Sequence, residues 1–249
     1  MPSMAILPPK VNRLIGQAFS HYDMIRDSDR ILVAVSGGID SLVLCWLLQF
    51  WQQKAPVSYR LQAVHLDMGF DSTSHELVGA ELAKLSIHFH IDRFTPAIPA
   101  DQLDGCYHCA RQRRNRLFEL ADQLQCNKIA FGHHMEDMLE TFFLNLCYSG
   151  NISTMLPRQD LFGGKLSIIR PMAYLEKSQI IDLGKSLNIR PVRNPCRFSE
   201  QNKRHKIRQT LPALYAMAPS VKANMFAALA NVRTEYLPKP AIPPKKHQN

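Results

Sequence analysis

Two short stretches of this 249-residue chain combine residue types that could do chemistry. The first, Ser36–Ser41 (SGGIDS), joins two glycines with two hydroxyls and one carboxylate. Glycines let the backbone pass close to an anion, and a helix beginning here adds exposed N–H groups and a favourable dipole. We therefore interpret this stretch as a phosphate cradle, in which the negatively charged Asp40 faces phosphate only with Mg²⁺ between them.

The second stretch contains Cys106 and Cys109, and a further cysteine, Cys196, lies far downstream. Two thiols at this spacing can serve one metal centre. Since structural disulfides are rare inside cells, the residues leave three interpretations open: a redox pair, a zinc site or an iron–sulfur cluster. The stretch is followed by arginines that suit the phosphates of RNA or of ATP: Arg111, Arg113, Arg114 and Arg116.

The elements that must position these groups alternate between strands and helices. Arg30–Val35 is a β-branched strand pattern that ends at the SGGIDS loop, and Ser41–Gln53 is helical. A Gly163-Gly164 hairpin follows later. The other predicted strands are Tyr59–Leu66, Ile87–Ile91 and Lys128–Phe131, and the other predicted helices are Ser74–Leu85, Cys109–Leu124, Glu136–Tyr148 and Glu176–Leu187. This alternation predicts an α/β fold with a doubly wound parallel sheet and with ligands at the carboxyl ends of the strands.

Polar residues follow two of the predicted strands. The second strand ends in Val64–Asp67 (VHLD), and the fourth ends in Phe131–Asp137 (FGHHMED). Because these ends converge above the first loop, we expect Asp67, His133 and Asp137 to reach the same ligand.

The charge distribution is uneven along the chain. Residues 1–184 carry a net charge of −2, whereas residues 185–249 carry +11. Such asymmetry favours a polyanionic partner, with a basic solubilising tail as the alternative. The longest apolar run, Leu42–Leu48, is too short to cross a membrane, and the N-terminus lacks the features of a signal peptide, so we expect a soluble cytoplasmic protein.

The SGGIDS loop after a first strand resembles the pyrophosphate loop (PP-loop) of the ATP pyrophosphatases, which cleave ATP between the α- and β-phosphates. The order of SGGIDS, a C-x-x-C with arginines, GHHMED and a cysteine after Pro195 is similar to that of the tRNA 2-thiocytidine synthetase family, over residues 15 to 235. The resemblance implies a PP-loop domain over residues 27–190, after an N-terminal helix in 1–26. A basic helical segment (191–237) and a flexible tail (238–249) follow.

That family thiolates cytidine in a tRNA anticodon loop, using ATP and a [4Fe–4S] cluster. The resemblance implies that Cys106, Cys109 and Cys196 hold the cluster, with one iron left free to bind exogenous sulfide. It implies adenylation of the C2 carbonyl oxygen, which sulfur then replaces. A sulfur donor such as a cysteine desulfurase is also implied, and a homodimer is compatible with the family.

The resemblance and the charges together imply roles for individual residues. We assign Asp40 and Asp137 to the positioning of ATP or the metal, and, from charge and proximity in sequence, Arg113 or Arg114 to the adenylate phosphate. The residues expected to bind ATP are Ala34, Val35, Ser36, Gly37, Gly38, Asp40, Ser41, His65, Asp67, Gly132 and His133. Those expected to contact RNA are Arg111, Arg116, Lys203, Arg204, Lys206 and Arg208.

This chain departs from the family pattern at two positions. Ile39 stands where many members carry lysine, so a basic contact to phosphate is either missing or supplied from elsewhere. Glu136 stands where an aspartate is usual. Two alternatives stay open: thiolation of another tRNA base, of the 2-thiouridine type, and a non-catalytic metal-containing nucleic-acid-binding protein.

Overall fold

A six-stranded sheet forms the centre of the protein. The computed structural model describes residues 7–69, 73–95, 105–192 and 203–238, with side chains in the 105–123 helix described from residue 108 on. The strands are β1 (Asp29–Val35), β2 (Tyr59–Asp67), β3 (Phe89–Arg93), β4 (Lys128–Ala130), β5 (Arg158–Leu161) and β6 (Leu166–Ile169). Their spatial order is β3-β2-β1-β4-β6-β5, and every neighbouring pair is parallel except the β5–β6 hairpin.

The chain order reverses between β1 and β4. At such a switch point the connections leave in opposite directions and open a crevice at the carboxyl ends of the two strands. Ser36–Ser41 directly follows β1, and Phe131–Asp137 directly follows β4. The predicted doubly wound parallel sheet is therefore confirmed, and both motifs lie at its crevice.

Helices cover both faces of the sheet. They are α1 (Pro9–His21), α2 (Ile39–Gln52), α3 (Ser74–Lys84), α4 (Gly105–Gln123), α5 (Met135–Ser149), α6 (Lys177–Ser186), α7 (Lys203–Tyr215) and α8 (Val221–Ala228). One apolar core joins the sheet to α1, α2, α3 and α6, and a second joins it to α4. Burial of these faces is the main force that fixes the loops between them.

The predicted elements occur with small shifts of their ends. Helix α4 begins at Gly105, four residues before the predicted start at Cys109, so the C-x-x-C lies in its first two turns. The Gly163-Gly164 hairpin joins β5 to β6 as predicted. No helix among the described residues is long and apolar enough to cross a membrane. The division into domains stays a prediction, and residues 239–249 of the expected tail lie outside the described part.

Candidate nucleotide and RNA site

The loop between β1 and α2 is shaped by two glycines. Gly37 has a φ of +86°, and a Cβ there would lie 2.8 Å from Val78 Cγ2. A Cβ on Gly132 would lie 3.0 Å from the backbone of Asp40 and Ser41, so a side chain would push the end of β4 away from the loop. Glycine at both positions lets the β1–α2 loop and the segment after β4 approach each other closely.

The two serines hold the loop from inside. Ser41 Oγ donates to the Gly38 carbonyl at 2.9 Å and accepts from the Ser36 backbone N–H at 3.1 Å. The first N–H groups of α2 have no carbonyl one turn earlier to receive them. The loop is therefore organised in advance, with helix-start donors available for an anion.

A cleft of about 450 Å³ opens above this loop. Its apolar wall suits a flat base, and its polar groups gather towards Ser36 and Asp40. The apolar residues that line it include Val64, Leu66, Leu117, Phe131 and Ile168. A cleft with one apolar side and a few convergent polar groups is typical of a nucleotide site.

Four arginines from three parts of the chain line the cleft: Arg113, Arg114, Arg170 and Arg204. The Nε atoms of Arg113 and Arg204 are buried and have no hydrogen-bond partner among the described residues. Buried donors without an acceptor are rare and cost free energy. The cleft is therefore prepared for an acceptor that comes from outside the chain, and an anion fits best.

His133 lies in the cleft as a neutral group. Its ring stacks on Phe131, with the ring centroids 5.6 Å apart, and its Nδ1 accepts from Arg170 Nε at 3.2 Å. Burial, and then the charge of Arg170, lower the pKa of His133 to about 3. With Nδ1 as the acceptor, Nε2 carries the proton, so His133 can donate a hydrogen bond without carrying charge. Burial also lowers the pKa of Arg170 to about 10, so that side chain stays charged.

A second cavity of about 330 Å³ lies beside the cleft, and Asp40 and Asp137 line both. It gathers the first turns of α2, α5 and α6. Its acidic and basic residues are Asp40, His134, Glu136, Asp137, Glu140, Lys177 and Arg208. We refer to it below as the carboxylate cavity.

His134 joins two carboxylates of this cavity. Its Nδ1 is 3.0 Å from Glu136 Oε2, and its Nε2 is 3.3 Å from Asp137 Oδ2. Burial opposes the charge on the ring, but the neighbouring carboxylates outweigh it and raise the pKa of His134. Burial raises the pKa of Asp137, whereas at Glu136 the effect of burial is overcome by bonds from His134 and Lys222, which lower the pKa to about 2.

Two lysines, neither of them among the predicted site residues, bind carboxylates of this cavity. Lys177, the first residue of α6, places its Nζ 2.5 and 2.6 Å from the two carboxylate oxygens of Asp40. Lys222 of α8 bridges Glu136 at 2.9 Å and Glu176 at 2.8 Å. Both partners are distant in sequence, so only the fold reveals these contacts.

Most of the predicted ATP-binding and catalytic residues do meet at the cleft. Those that line it are Ala34, Val35, Ser36, Asp40, Ser41, Arg113, Arg114, Gly132, His133 and Asp137. Gly37 and Gly38 belong to the loop below. His65 and Asp67 are not among the lining residues, because Val64 and Leu66 face the cleft and side chains alternate along β2.

The opposite face of β2 gives His65 and Asp67 other partners. His65 is buried, and its Nδ1 lies 2.9 Å from the Val35 carbonyl oxygen. Burial lowers the pKa of His65. Asp67 Oδ2 is 3.4 Å from His75 Nδ1 and 3.9 Å from Arg93 Nε. A role for Asp67 in binding the same ligand as His133 stays a prediction.

The six predicted RNA contacts divide into three groups. Arg116 grips Asp92 through two hydrogen bonds of 2.8 and 2.7 Å, and Arg208 grips Glu140 through bonds of 2.7 and 2.8 Å. Arg204 points into the cleft and donates to Thr141. The other three side chains, all exposed, are Arg111, Lys203 and Lys206. The structure thus gives Arg116 and Arg208 partners inside the protein.

Two of the three candidate cluster cysteines lie in the first two turns of α4. Cys109 is half-buried and packs against the second core, and Cys106 is one turn earlier in the same helix. The next residue, Ala110, lines the cleft, as do Arg113 and Arg114. The C-x-x-C therefore lies at the edge of the cleft, while Cys196 lies outside the described residues.

Comparisons with known proteins agree with this arrangement. Residues 7–214 match the PP-loop domain family. A tRNA-cytidine(32) 2-sulfurtransferase of Geobacter sulfurreducens is 34% identical over 235 residues, covering 92% of this chain and 91% of the relative. The protein of the same name from Syntrophotalea carbinolica is 33% identical over 237 residues, covering 92% and 91%.

A solved structure shares the fold. The U34-tRNA thiolase NcsA from Methanococcus maripaludis, solved with its [4Fe–4S] cluster, superimposes with a TM-score of 0.74 over 92% of this chain and 80% of that one. The two sequences are 18% identical, so this likeness shows the architecture alone.

Proposed function

Because the chain belongs to the PP-loop family, and within it to the tRNA-cytidine 2-sulfurtransferases, we propose that it thiolates C2 of a cytidine in tRNA and converts ATP to AMP and pyrophosphate. One observation carries this proposal. A phosphate loop, an apolar wall and arginines with unpaired buried N–H groups share one cleft, whose edge is formed by the C-x-x-C helix.

ATP binding follows from the layout of the cleft. The start of α2 and the hydroxyls of Ser36 and Ser41 receive the pyrophosphate end. The adenine lies against the apolar wall that includes Val64 and Phe131. This orientation leaves the α-phosphate beneath the arginines of α4, in line with the proposed roles of Arg113 and Arg114.

Activation must precede sulfur transfer, because the C2 oxygen of cytidine is a poor leaving group. We propose that this oxygen attacks the α-phosphorus and pyrophosphate leaves toward the loop. Fixed positive groups stabilise the charge that develops on the phosphoryl oxygens. Arg113 and Arg114 supply that charge, and neutral His133 donates a hydrogen bond. Sulfur then replaces the adenylated oxygen at C2, which departs with AMP.

Mg²⁺ enters this proposal as part of the substrate, bound to the phosphates of ATP. Among the described residues, no group of three or more potential metal ligands is preformed. Both oxygens of Asp40 are held by Lys177, and Asp137 lies beside His134. Both carboxylates therefore contact cationic or titratable neighbours in the carboxylate cavity.

Cys109 is a half-buried thiol on the helix that lines the cleft, and thiolates are the ligands that hold a [4Fe–4S] cluster. Cys106 and Cys109 would hold it together with Cys196. A cluster held by three thiolates has one iron without a protein ligand, and that iron can carry sulfur. Helix α4 links the two functions, since the same two turns carry the thiols and the arginines of the cleft.

The tRNA is the proposed polyanionic partner, bound by its anticodon loop. Arg111, Lys203 and Lys206 are exposed near the two helices that flank the cleft. A role in RNA binding for Arg116 or Arg208 would require each to leave its carboxylate. We also propose that the sulfur comes from a donor such as a cysteine desulfurase and that the protein is cytoplasmic. A homodimer is compatible with this function.

Mass spectrometry of nucleosides from total tRNA tests the function. A strain without the gene is compared with its parent and with strains that express the wild type, Cys106→Ala or, as a matched control, Cys147→Ala. Cys147 is an exposed thiol at the end of α5. We expect 2-thiocytidine to be lost and to be restored by the wild type and Cys147→Ala only.

Other results would change the conclusion. Loss of a 2-thiouridine with retention of 2-thiocytidine would move the same chemistry to another base. Unchanged thionucleosides, together with no tRNA-dependent pyrophosphate release by the purified protein, would favour the non-catalytic nucleic-acid-binding alternative.

A further inference from the structure

The phosphate loop contains a carboxylate but no basic residue of its own. Asp40 lies in the first turn of α2, where an approaching triphosphate would meet a like charge. The residue before it, Ile39, does not face the ligand. A Cβ on Gly184 of α6 would lie 2.3 Å from Ile39 Cδ1 and 3.4 Å from Val43 Cγ2, so Ile39 fills the space that this glycine leaves. The loop is thus docked on α6 by an apolar contact.

That docking brings the first residue of α6 to the loop. Lys177 Nζ contacts both oxygens of Asp40, at 2.5 and 2.6 Å, and the side chain is still 37% exposed. An ammonium has three donors, and one hydrogen bond to each oxygen leaves the third for another acceptor. The ammonium therefore neutralises the carboxylate and stays accessible to a ligand.

The other cation that lines the carboxylate cavity, Arg208, and Lys222 beside it both pair with carboxylates other than Asp40. Arg208 forks onto Glu140, and Lys222 bridges Glu136 and Glu176. Within the described residues, Lys177 is the cation of this cavity that hydrogen-bonds the loop, whereas His134 Nε2 lies 3.9 Å from Asp40 Oδ1. The starts of α2, α5 and α6 also meet here, and their dipoles favour an anion.

We propose that Lys177 is the cation of the phosphate loop, supplied by α6: it neutralises Asp40 and donates to the β- and γ-phosphates of ATP. The inference rests on the proposed function, because it assumes that ATP lies with its terminal phosphates on Ser36–Ser41. Lys177 is thereby a positioning residue for pyrophosphate, and it fills the place of the basic residue that the loop lacks at Ile39.

Nucleotide binding to the full-length chain tests this inference. Isothermal titration with ATP, pyrophosphate and AMP compares the wild type with Lys177→Gln and Lys177→Arg. The matched control is Lys185→Gln, which removes an exposed lysine from the last turn of the same helix. AMP has no β- or γ-phosphate, so its affinity reports on the rest of the cleft.

We expect Lys177→Gln to weaken ATP and pyrophosphate at least about tenfold and to leave AMP unchanged. Arginine should restore part of the loss, and the control should match the wild type. Equal loss of ATP and AMP, or no loss of either, would overturn the inference while leaving the proposed function intact. A wild type that binds none of the three ligands would overturn both.

The double variant Asp40→Asn/Lys177→Gln separates neutralisation from contact with phosphate. If Lys177 only cancelled the charge of Asp40, removing both charges would restore the ATP affinity of the wild type. The proposal predicts that ATP stays weaker than in the wild type, since the donor to phosphate is missing. Full restoration would contradict the contact with phosphate.

Discussion

The cleft and the carboxylate cavity share Asp40 and Asp137 but treat charge in opposite ways. The cleft sets four arginines against these two carboxylates, and in the described part of the chain the buried Nε atoms of Arg113 and Arg204 have no hydrogen-bond partner, although Arg204 Nε lies 3.8 Å from Glu140 Oε2. The cavity sets four carboxylates against two cations and one histidine, and its charges pair with one another. The uncompensated region is prepared for a ligand, whereas the compensated region holds α2, α5, α6 and α7 in place.

Removing one cleft arginine should have the largest effect on catalysis. We expect Arg113→Gln to slow tRNA-dependent AMP formation at least about 100-fold, because a fixed charge on the reacting phosphate is lost. The melting temperature should stay within about 2 °C of the wild type, since Arg113 Nε has no partner to lose.

The control is Arg60→Gln, an exposed arginine in β2, which should leave both quantities unchanged. A parallel loss of activity and stability in Arg113→Gln would show that the cleft arginines are structural and would remove the contrast between the two regions.

Breaking an ion pair in the carboxylate cavity should lower stability and leave nucleotide binding unchanged. Arg208→Ala leaves the buried Glu140 without its two-pronged partner. We expect the free energy of unfolding to fall by about 1–2 kcal/mol, discounted because the Arg208 side chain is 58% exposed.

Urea denaturation measures this change, and AMP affinity measured in parallel should be unaltered. The double variant Glu140→Gln/Arg208→Ala should recover part of the stability, because no buried charge is then left alone. An unchanged urea midpoint in Arg208→Ala would mean that the cavity does not stabilise the fold.

The Glu136–Lys222 bridge predicts a pH dependence of stability. Burial opposes ionisation of Glu136, but bonds from His134 and Lys222 lower its pKa from 4.5 to about 2. A carboxylate whose pKa is lower in the folded state stabilises fully above its unfolded value, and this contribution is lost as the pH falls through the folded value.

The bridge joins α5 to α8, so Lys222→Gln should lower the free energy of unfolding by about 1 kcal/mol near pH 6. The difference from the wild type should shrink as the pH falls from about 4.5 to about 2. Chemical denaturation across this range measures it. A difference that stays constant down to pH 2 would exclude Glu136 as the titrating partner.

The exposed lysines of α7 give the smallest expected effect and concern RNA. Replacing Lys203 and Lys206 by glutamine should make the salt dependence of tRNA affinity shallower, by roughly 1.4–1.8 in the logarithmic slope if each neutralises one phosphate. Arg116→Gln is the informative comparison, because Arg116 is held by Asp92. This substitution should leave the slope unchanged. A slope reduced as much as in the lysine variant would show that Arg116 contacts RNA.

The phosphate loop and the residues at the ends of the parallel strands could be predicted from the sequence. A β-branched strand stopped by two glycines and followed by a helix specifies the loop, and the alternation of elements specifies a parallel sheet that gathers Ser36, His133 and Asp137. These relations depend on neighbours in the chain and on the topology of the sheet.

Two features of the site could not be predicted from the sequence, and each has a physical reason. β2 is buried on both faces, so its apolar run does not reveal that Val64 and Leu66, rather than His65 and Asp67, face the cleft. The partners of Lys177 and Arg208 are 137 and 68 residues away, so sequence proximity did not reveal those pairings.

The central claim, that the cleft activates the C2 oxygen of cytidine on the α-phosphorus of ATP, can be tested with an isotope. A tRNA substrate labelled with ¹⁸O at that oxygen is thiolated by the purified holoenzyme, and AMP and pyrophosphate are examined by mass spectrometry. The account predicts one ¹⁸O in the phosphate of each AMP and none in pyrophosphate. Thiolation that gives unlabelled AMP, or label in pyrophosphate, would contradict it.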